Sequence, residues 1–355
     1  MALFSLVLSS SSGMGQALYS ITPIHAPQGS GAISVAGVSI NEMGEVVGEY
    51  SRLDQDLGNN QIRSFYHSDI TGTVDFWPEE YKSVAEGINN SGQIALYGGD
   101  RSAPPEAYRF TPGIGYESLG NFGGRDSESQ AINNLGQVTG FSENSEGHSV
   151  AFRYTDGVGL EAIGSSFIAS TGYDINDLGW VSGWGDGNAF LYRDDLGLLD
   201  LGPGWGYGIN DAGSVVGQAL LPTGQAEAFI YMDGTYRLLT QSGFQNTALG
   251  DINNQGVAVG IGGVSMGLSA PKRALLWTED TGFVDLTTLL PEDSGWTLIS
   301  ALAINEAGQI TGVGSFDGSP IGFRLDPIPE PSTWGLLVLG GLFGWFQWRR
   351  IRSRH

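Results

Sequence analysis

Short runs in which apolar and polar residues alternate fill most of this chain, and Gly, Asp and Asn interrupt them every few positions. Alternation bounded by turn residues predicts half-buried β-strands, because successive side chains of a strand point to opposite faces. LYSITPI from Leu18 and GLLDLG from Gly197 are two such runs. Glycine makes up 56 of 355 residues without a collagen-like period, which fits many strands joined by tight turns. Two stretches break the pattern. Ala2 to Leu8 is apolar except for Ser5, and Trp334 to Trp348 is apolar or Gly except for Gln347.

The alternating part is a repeat. The unit I-N-x-x-G-x-[VI]-x-G reads INEMGEVVG from Ile40, INNLGQVTG from Ile132, INDLGWVSG from Ile175, INDAGSVVG from Ile209 and INEAGQITG from Ile304. INNSGQIAL from Ile88 and INNQGVAVG from Ile252 are looser copies, making seven in all. Their asparagines (Asn41, Asn89, Asn133, Asn176, Asn210, Asn253 and Asn305) stand 48, 44, 43, 34, 43 and 52 residues apart. Downstream of each comes an extended segment such as EAYRF, VAFRY or EAFIY, usually followed by a turn and a leucine-bearing strand. Four strands per period of about 44 residues is the size of a β-propeller blade.

The expected fold is therefore all-β: a seven-bladed propeller of four-stranded blades over residues 18–326. The last copy ends at Gly322-Phe323-Arg324-Leu325 without a leucine strand, whereas LYSITPI stands alone before the first copy. Pairing the two would close the ring and hide both sheet edges. An open solenoid would leave that orphan strand unexplained. Within each unit, Asn begins a turn, where its side chain can bond backbone two residues on, and Gly supplies positive φ. The repeat asparagines are thus read as structural. The final Gly of V-x-G allows close backbone approach. Fragments such as DIND at Asp174 look like pieces of calcium loops, but no bidentate acid recurs downstream.

The alternation of I-N-x-x-G-x-V-x-G with an A-F-x-Y strand resembles the extracellular repeat family named for its His-Ala-Phe motif. The resemblance spans about residues 18–326 and implies a secreted, propeller-like module without a common activity. The name-giving histidine is mostly missing; His148 ahead of Ala151-Phe152 is the nearest case.

Charge narrows the partners. The formal net charge is −22, and four of the 16 basic residues are Arg349, Arg350, Arg352 and Arg354. Nucleic acid is excluded, since phosphate neutralisation needs clustered Lys and Arg. With no cysteine there is no disulfide, thiolate site or cysteine nucleophile. The four histidines are scattered, and no catalytic or cofactor motif is present, so neither an enzyme nor a cofactor or metal site is expected. A hydrolase or lyase acting on extracellular glycans is the alternative, and it needs two carboxylates converging in a cleft. Most tryptophans are expected between blades. Trp180 and Trp184, in the glycine-rich GWVSGWGDGN, are the candidates for stacking on a sugar. The inserts around 52–63 and 265–273 are the irregular loops where ligand specificity is expected.

The ends carry destination. Residues 1–17 read as a signal peptide, with small residues at Gly15 and Ala17 allowing cleavage after Ala17. The rival is a buried first strand. Residues 327–355 read as a tail with three parts in order: Pro329-Glu330-Pro331, the apolar span, and the arginine cluster. As a helix the span measures about 22 Å, short of the roughly 30 Å hydrocarbon core until Ser332 and Thr333 are added. Trp334, Trp345 and Trp348 sit near its ends as interfacial anchors, and Arg349 and Arg350 place the C-terminus in the cytoplasm. This order resembles the PEP-CTERM sorting signal of Gram-negative bacteria. The resemblance implies recognition by exosortase at or near Pro329-Glu330-Pro331, a transient transmembrane helix, and export to the cell surface or a biofilm matrix. The expected molecule is an exosortase substrate with an interaction scaffold, binding extracellular polysaccharide.

Overall fold

The computed structural model describes residues 18–53, 60–77, 81–100, 103–263 and 271–329. The expected signal peptide, nearly all of the tail with its expected helix, and parts of both inserts lie outside these residues. Among the described residues the chain is all-β apart from one 3-10 turn at Leu286–Leu289.

Strand β1 (Tyr19–Ile24) precedes seven similar units. The first is β2 to β5 (Ala32–Ile40, Val46–Leu53, Asn60–Ser68, Gly72–Asp75). The second is β6 to β9 (Tyr81–Ile88, Ile94–Asp100, Glu106–Thr111, Gly115–Ser118). The third is β10 to β13 (Gly123–Ile132, Val138–Asn144, Ser149–Thr155, Gly159–Ala162). The fourth and fifth share a long strand: β14 to β16 (Ser170–Ile175, Val181–Gly185, Asn188–Arg193), β17 (Gly197–Ile209), then β18 to β20 (Val215–Leu220, Ala226–Met232, Thr235–Leu238). The sixth is β21 to β24 (Gln245–Ile252, Ala258–Gly263, Lys272–Thr278, Gly282–Asp285), and the seventh is β25 to β27 (Trp296–Ile304, Ile310–Phe316, Ser319–Pro327).

Each unit is an antiparallel meander in sequence order. The first half of β17 pairs with β16 and its second half with β18, so two four-stranded sheets run together as one of seven strands. In the seventh unit β1 supplies the fourth strand, pairing with β27 from Tyr19↔Pro327 to Ile24↔Gly322. The N-terminal strand thus covers the edge that the last repeat leaves open, as expected from the orphan LYSITPI.

Burial explains why the strand patterns differ within a unit. Second strands are buried on both faces, as in Val46-Val47, Ala95-Leu96 and Val215-Val216, because a sheet lies against each side. Fourth strands are four residues long in most units and largely exposed, which limits edge-to-edge pairing. The apolar core is correspondingly divided. Seven clusters each join two consecutive units, for example Ala107 with Ile132, Val138 and Phe152 between the second and third. The last, with Ile24, Val35, Val46 and Ala303, joins the seventh unit to the first. The set closes on itself.

Candidate functional site

The first strand of every unit ends at the repeat asparagine, and these ends meet. The Oδ1 of Asn133 accepts the backbone N–H groups of Leu135 (3.1 Å) and Gln137 (2.9 Å), closing the turn locally. Its Nδ2 donates to the carbonyl of Asn176 in the next unit at 2.8 Å. The same bond runs from Asn41 to Asn89, Asn89 to Asn133, Asn176 to Asn210, Asn210 to Asn253 and Asn253 to Asn305. Asn305 returns it to the carbonyl of Asn41 at 2.8 Å. All seven asparagines are buried. They form a closed ring of side-chain hydrogen bonds.

A second ring lies beside the first. The backbone N–H of the residue after each asparagine donates to a side-chain oxygen of its counterpart in the next unit, in the order Glu42, Asn90, Asn134, Asp177, Asp211, Asn254, Glu306 and back to Glu42. The common requirement here is an acceptor oxygen rather than a charge, which is why Asn, Asp and Glu all serve. The sequence carried this signal, since only those three residue types occupy the position. Among the described residues, no group of three or more His, Cys, Asp or Glu side chains is arranged to hold a metal ion.

Above the rings, each first strand carries a bulge at one equivalent position. Registers skip Val38, Glu86, Gln130, Tyr173, Tyr207, Gly250 and Leu302 in the seven units. The scaffold repeats but this inner strip does not. Tyr173 and Tyr207 approach to 5.4 Å between ring centroids. Burial, then the charges of Glu49 and Glu128, push the Glu86 carboxyl up to about 7. Two further carboxyls, Asp174 and Asp251, each accept the N–H of the following isoleucine and of the isoleucine in the next unit, Ile209 and Ile304. Burial raises both, and Asp251 further raises Asp174. Sequence reading noted Asp174 only as part of a calcium-loop-like fragment and missed Glu86 and Asp251, because a lone acid near I-N carries no motif.

The two candidate tryptophans occupy different surroundings. Trp180 packs against the apolar cluster between the fourth and fifth units, with the Arg193 guanidinium 4.0 Å from its ring centroid. Trp184 lies on β15 opposite Thr171 and Ala189, half-buried, with its indole N–H enclosed and without a hydrogen-bond partner. Of the other tryptophans, Trp77, Trp277 and Trp296 are buried. Pro329 is exposed at the end of the described chain, while Glu330, Pro331, Trp334, Trp345, Trp348, Arg349 and Arg350 lie outside it. No described helix is long and apolar enough to cross a membrane.

Residues 327–352 match the PEP-CTERM protein-sorting motif. No curated protein matches the sequence. Among solved structures the chain is similar to a puromycin-hydrolyzing peptidase of Mycobacterium tuberculosis, at 10% identity and TM-score 0.58 over 87% of this chain and 55% of that one. An acylaminoacyl peptidase of Pyrococcus horikoshii matches at 11% identity and TM-score 0.50, over 82% and 50%. The β-propeller domain of the trilobed protease from Pyrococcus furiosus matches at 9% identity and TM-score 0.41, over 84% of each chain. The chain spans about half the length of the two peptidases. At these identities the likeness concerns the fold alone; the chain itself is all-β, built largely from four-stranded sheets.

Proposed function

We propose that this chain is an exported protein, delivered by its C-terminal sorting signal and processed by exosortase, that presents a seven-bladed β-propeller as an interaction scaffold rather than a catalyst. The match of residues 327–352 to the sorting motif carries the reading of destination. Cleavage after Ala17 would leave β1 whole, and β1 closes the seventh unit. The seven-blade count is supported by the asparagine ring, whose last bond returns to the first repeat. The His-Ala-Phe resemblance and the acidic composition fit a module working outside the cytoplasm. Before processing, the span from Trp334 to Trp348 would hold the protein in the membrane; afterwards it would reside at the cell surface or in an extracellular matrix.

Deleting residues 329–355 tests this reading. The full chain should be membrane-associated and then appear as a shorter, surface-retained species, whereas the truncated chain should be released without that processing step. Identical mass and location for both would overturn it. For the scaffold's partner we propose extracellular polysaccharide, with Trp184 as the stacking residue. On a glycan array the full chain should show selective binding that Trp184→Ala reduces about tenfold or more, the loss of one aromatic–ligand contact. Binding that survives the substitution would place the contact elsewhere.

A further inference from the structure

Three seams between units on the turn side are closed by the same device. Arg109, Arg153 and Arg324 occupy one position of the third strand, opposite Ala95, Thr139 and Thr311. Each guanidinium donates to the carbonyl of the turn glycine in the next unit: Gly136 at 2.7 Å, Gly179 at 2.9 Å and Gly44 at 3.0 Å. Each also pairs with the aspartate of the next unit's hairpin, Asp156, Asp194 or Asp69. Arg109 and Arg153 lie over the rings of Tyr154 and Tyr192. Beneath each sits a glutamine, Gln93, Gln137 or Gln309, reaching the same turn glycine.

Three further seams carry an aliphatic side chain at that strand position, Leu191, Ile230 and Leu276. The seam between the first and second units departs from the arginine pattern differently, at three positions together. Tyr66, opposite Val47, stands where the arginine would be. Pro112 stands in the hairpin where the aspartate would be, and Glu45 stands where the glutamine would be. The turn glycine remains, with Gly92 at φ 71. The aromatic face remains as Phe110. The result is an open cavity of about 450 Å³ lined by Tyr66, Phe76, Phe110, Pro112, Glu45 and Gly92, among others. Glu45 accepts Tyr66 Oη–H at 2.6 Å and Asn41 Nδ2–H at 2.7 Å, and its remaining lone pairs face no arginine of this strand position.

We propose that this cavity is a binding site for an arginine side chain presented by a partner protein. The arginine seams show what fits: a guanidinium against the glycine carbonyl and, in two of the three, over an aromatic ring. Here the chain withholds its own guanidinium, yet it places a carboxylate where the three filled seams have a neutral amide. A carboxylate beside aromatic faces attracts a cation on an apolar stem, and a planar guanidinium matches both features. The inference goes beyond the sorting and scaffold reading, and its test is independent of both.

The test titrates the full chain, in detergent, with the peptide Gly-Arg-Gly and with its citrulline and lysine analogues, followed by calorimetry and saturation-transfer NMR. The arginine peptide should bind saturably, and each analogue about tenfold more weakly, as expected for loss of a charge-assisted hydrogen bond or of its bidentate geometry. Glu45→Gln should weaken arginine binding about tenfold as well. That variant retains the fold, because glutamine fills the equivalent position in three sister units and makes the same contact to the repeat asparagine in each. Combining Tyr66→Arg with Pro112→Asp should fill the cavity from within and abolish binding. Equal affinity for citrulline or lysine, or full affinity in Glu45→Gln, overturns the proposal. So does undiminished binding by a folded double variant. If the double variant does not fold, Glu45→Gln decides alone.

Discussion

The repeat asparagine does more than shape its own turn. Its oxygen satisfies two backbone donors locally, and its amide nitrogen reaches into the neighbouring unit, so one buried side chain serves both secondary and tertiary structure. Asn133→Ala should therefore destabilise the fold by about 2–3 kcal/mol, because buried donors and an acceptor lose their partners together. A urea midpoint unchanged by this substitution would show that the ring contributes nothing. Glycines mark a second residue-scale constraint. A Cβ at Gly140 would collide with the carbonyl of Glu128 on the first strand, and Gly48, Gly183, Gly217, Gly260 and Gly312 meet the same obstacle. The sequence reading of close approach at V-x-G is explained by that carbonyl. Leu96, at the same position of the second copy, is fully buried, and the structure offers no account of how that unit accommodates it.

At the scale of the element, the strand patterns were readable because each strand's burial is set by its place in the meander. The third-strand phenylalanines Phe65, Phe152, Phe190, Phe229 and Phe323 are fully buried, matching the recurrent A-F-x-Y signal. The most consequential element is β1. Its six residues pair with β27, and Ile24 is fully buried in the cluster that joins the seventh unit to the first. Removing residues 1–26 should expose the edge of β27 and open that cluster, giving a less cooperative unfolding transition and self-association. Analytical ultracentrifugation reads the second effect: a monomer with unchanged cooperativity would show that β1 is dispensable. What the strand patterns could not reveal is the sharing of β17 between two sheets. The short spacing of 34 residues before Asn210 is its trace in the sequence.

Considered as a whole, the molecule places Glu86, Asp174 and Asp251 at or beside the first-strand bulges as well as many acids elsewhere. Glu86 is raised from 4.5 to about 7 by burial and by Glu49 and Glu128, and Asp174 and Asp251 are raised in the same direction. A carboxyl that binds its proton more tightly in the folded state supports folding fully below about 4.5 and loses that contribution as pH rises through about 7. The thermal midpoint should therefore fall between pH 5 and pH 8. Glu86→Gln should flatten part of this slope by removing one of the titrating groups. Equal slopes in the parent and the variant would show that Glu86 does not titrate in this window. The net charge of −22 adds repulsion of the same sign across the surface, which is why the comparison between variants, not the slope itself, identifies Glu86.

The sequence by itself determined the number of repeats, the strand content of each, the turn at every Asn-x-x-Gly and the sorting motif at the C-terminus. These are local properties: a turn, an alternation or an apolar span is encoded within a few consecutive residues. Tertiary structure decided which residues of different units, far apart in sequence, become neighbours. The two hydrogen-bond rings, the effect of Asp251 on Asp174 and the tyrosine that replaces arginine at Tyr66 all depend on it. Each arises from the twist and curvature that bring successive sheets face to face. Those quantities sum small backbone angles over a whole unit, so no single stretch of sequence displays them.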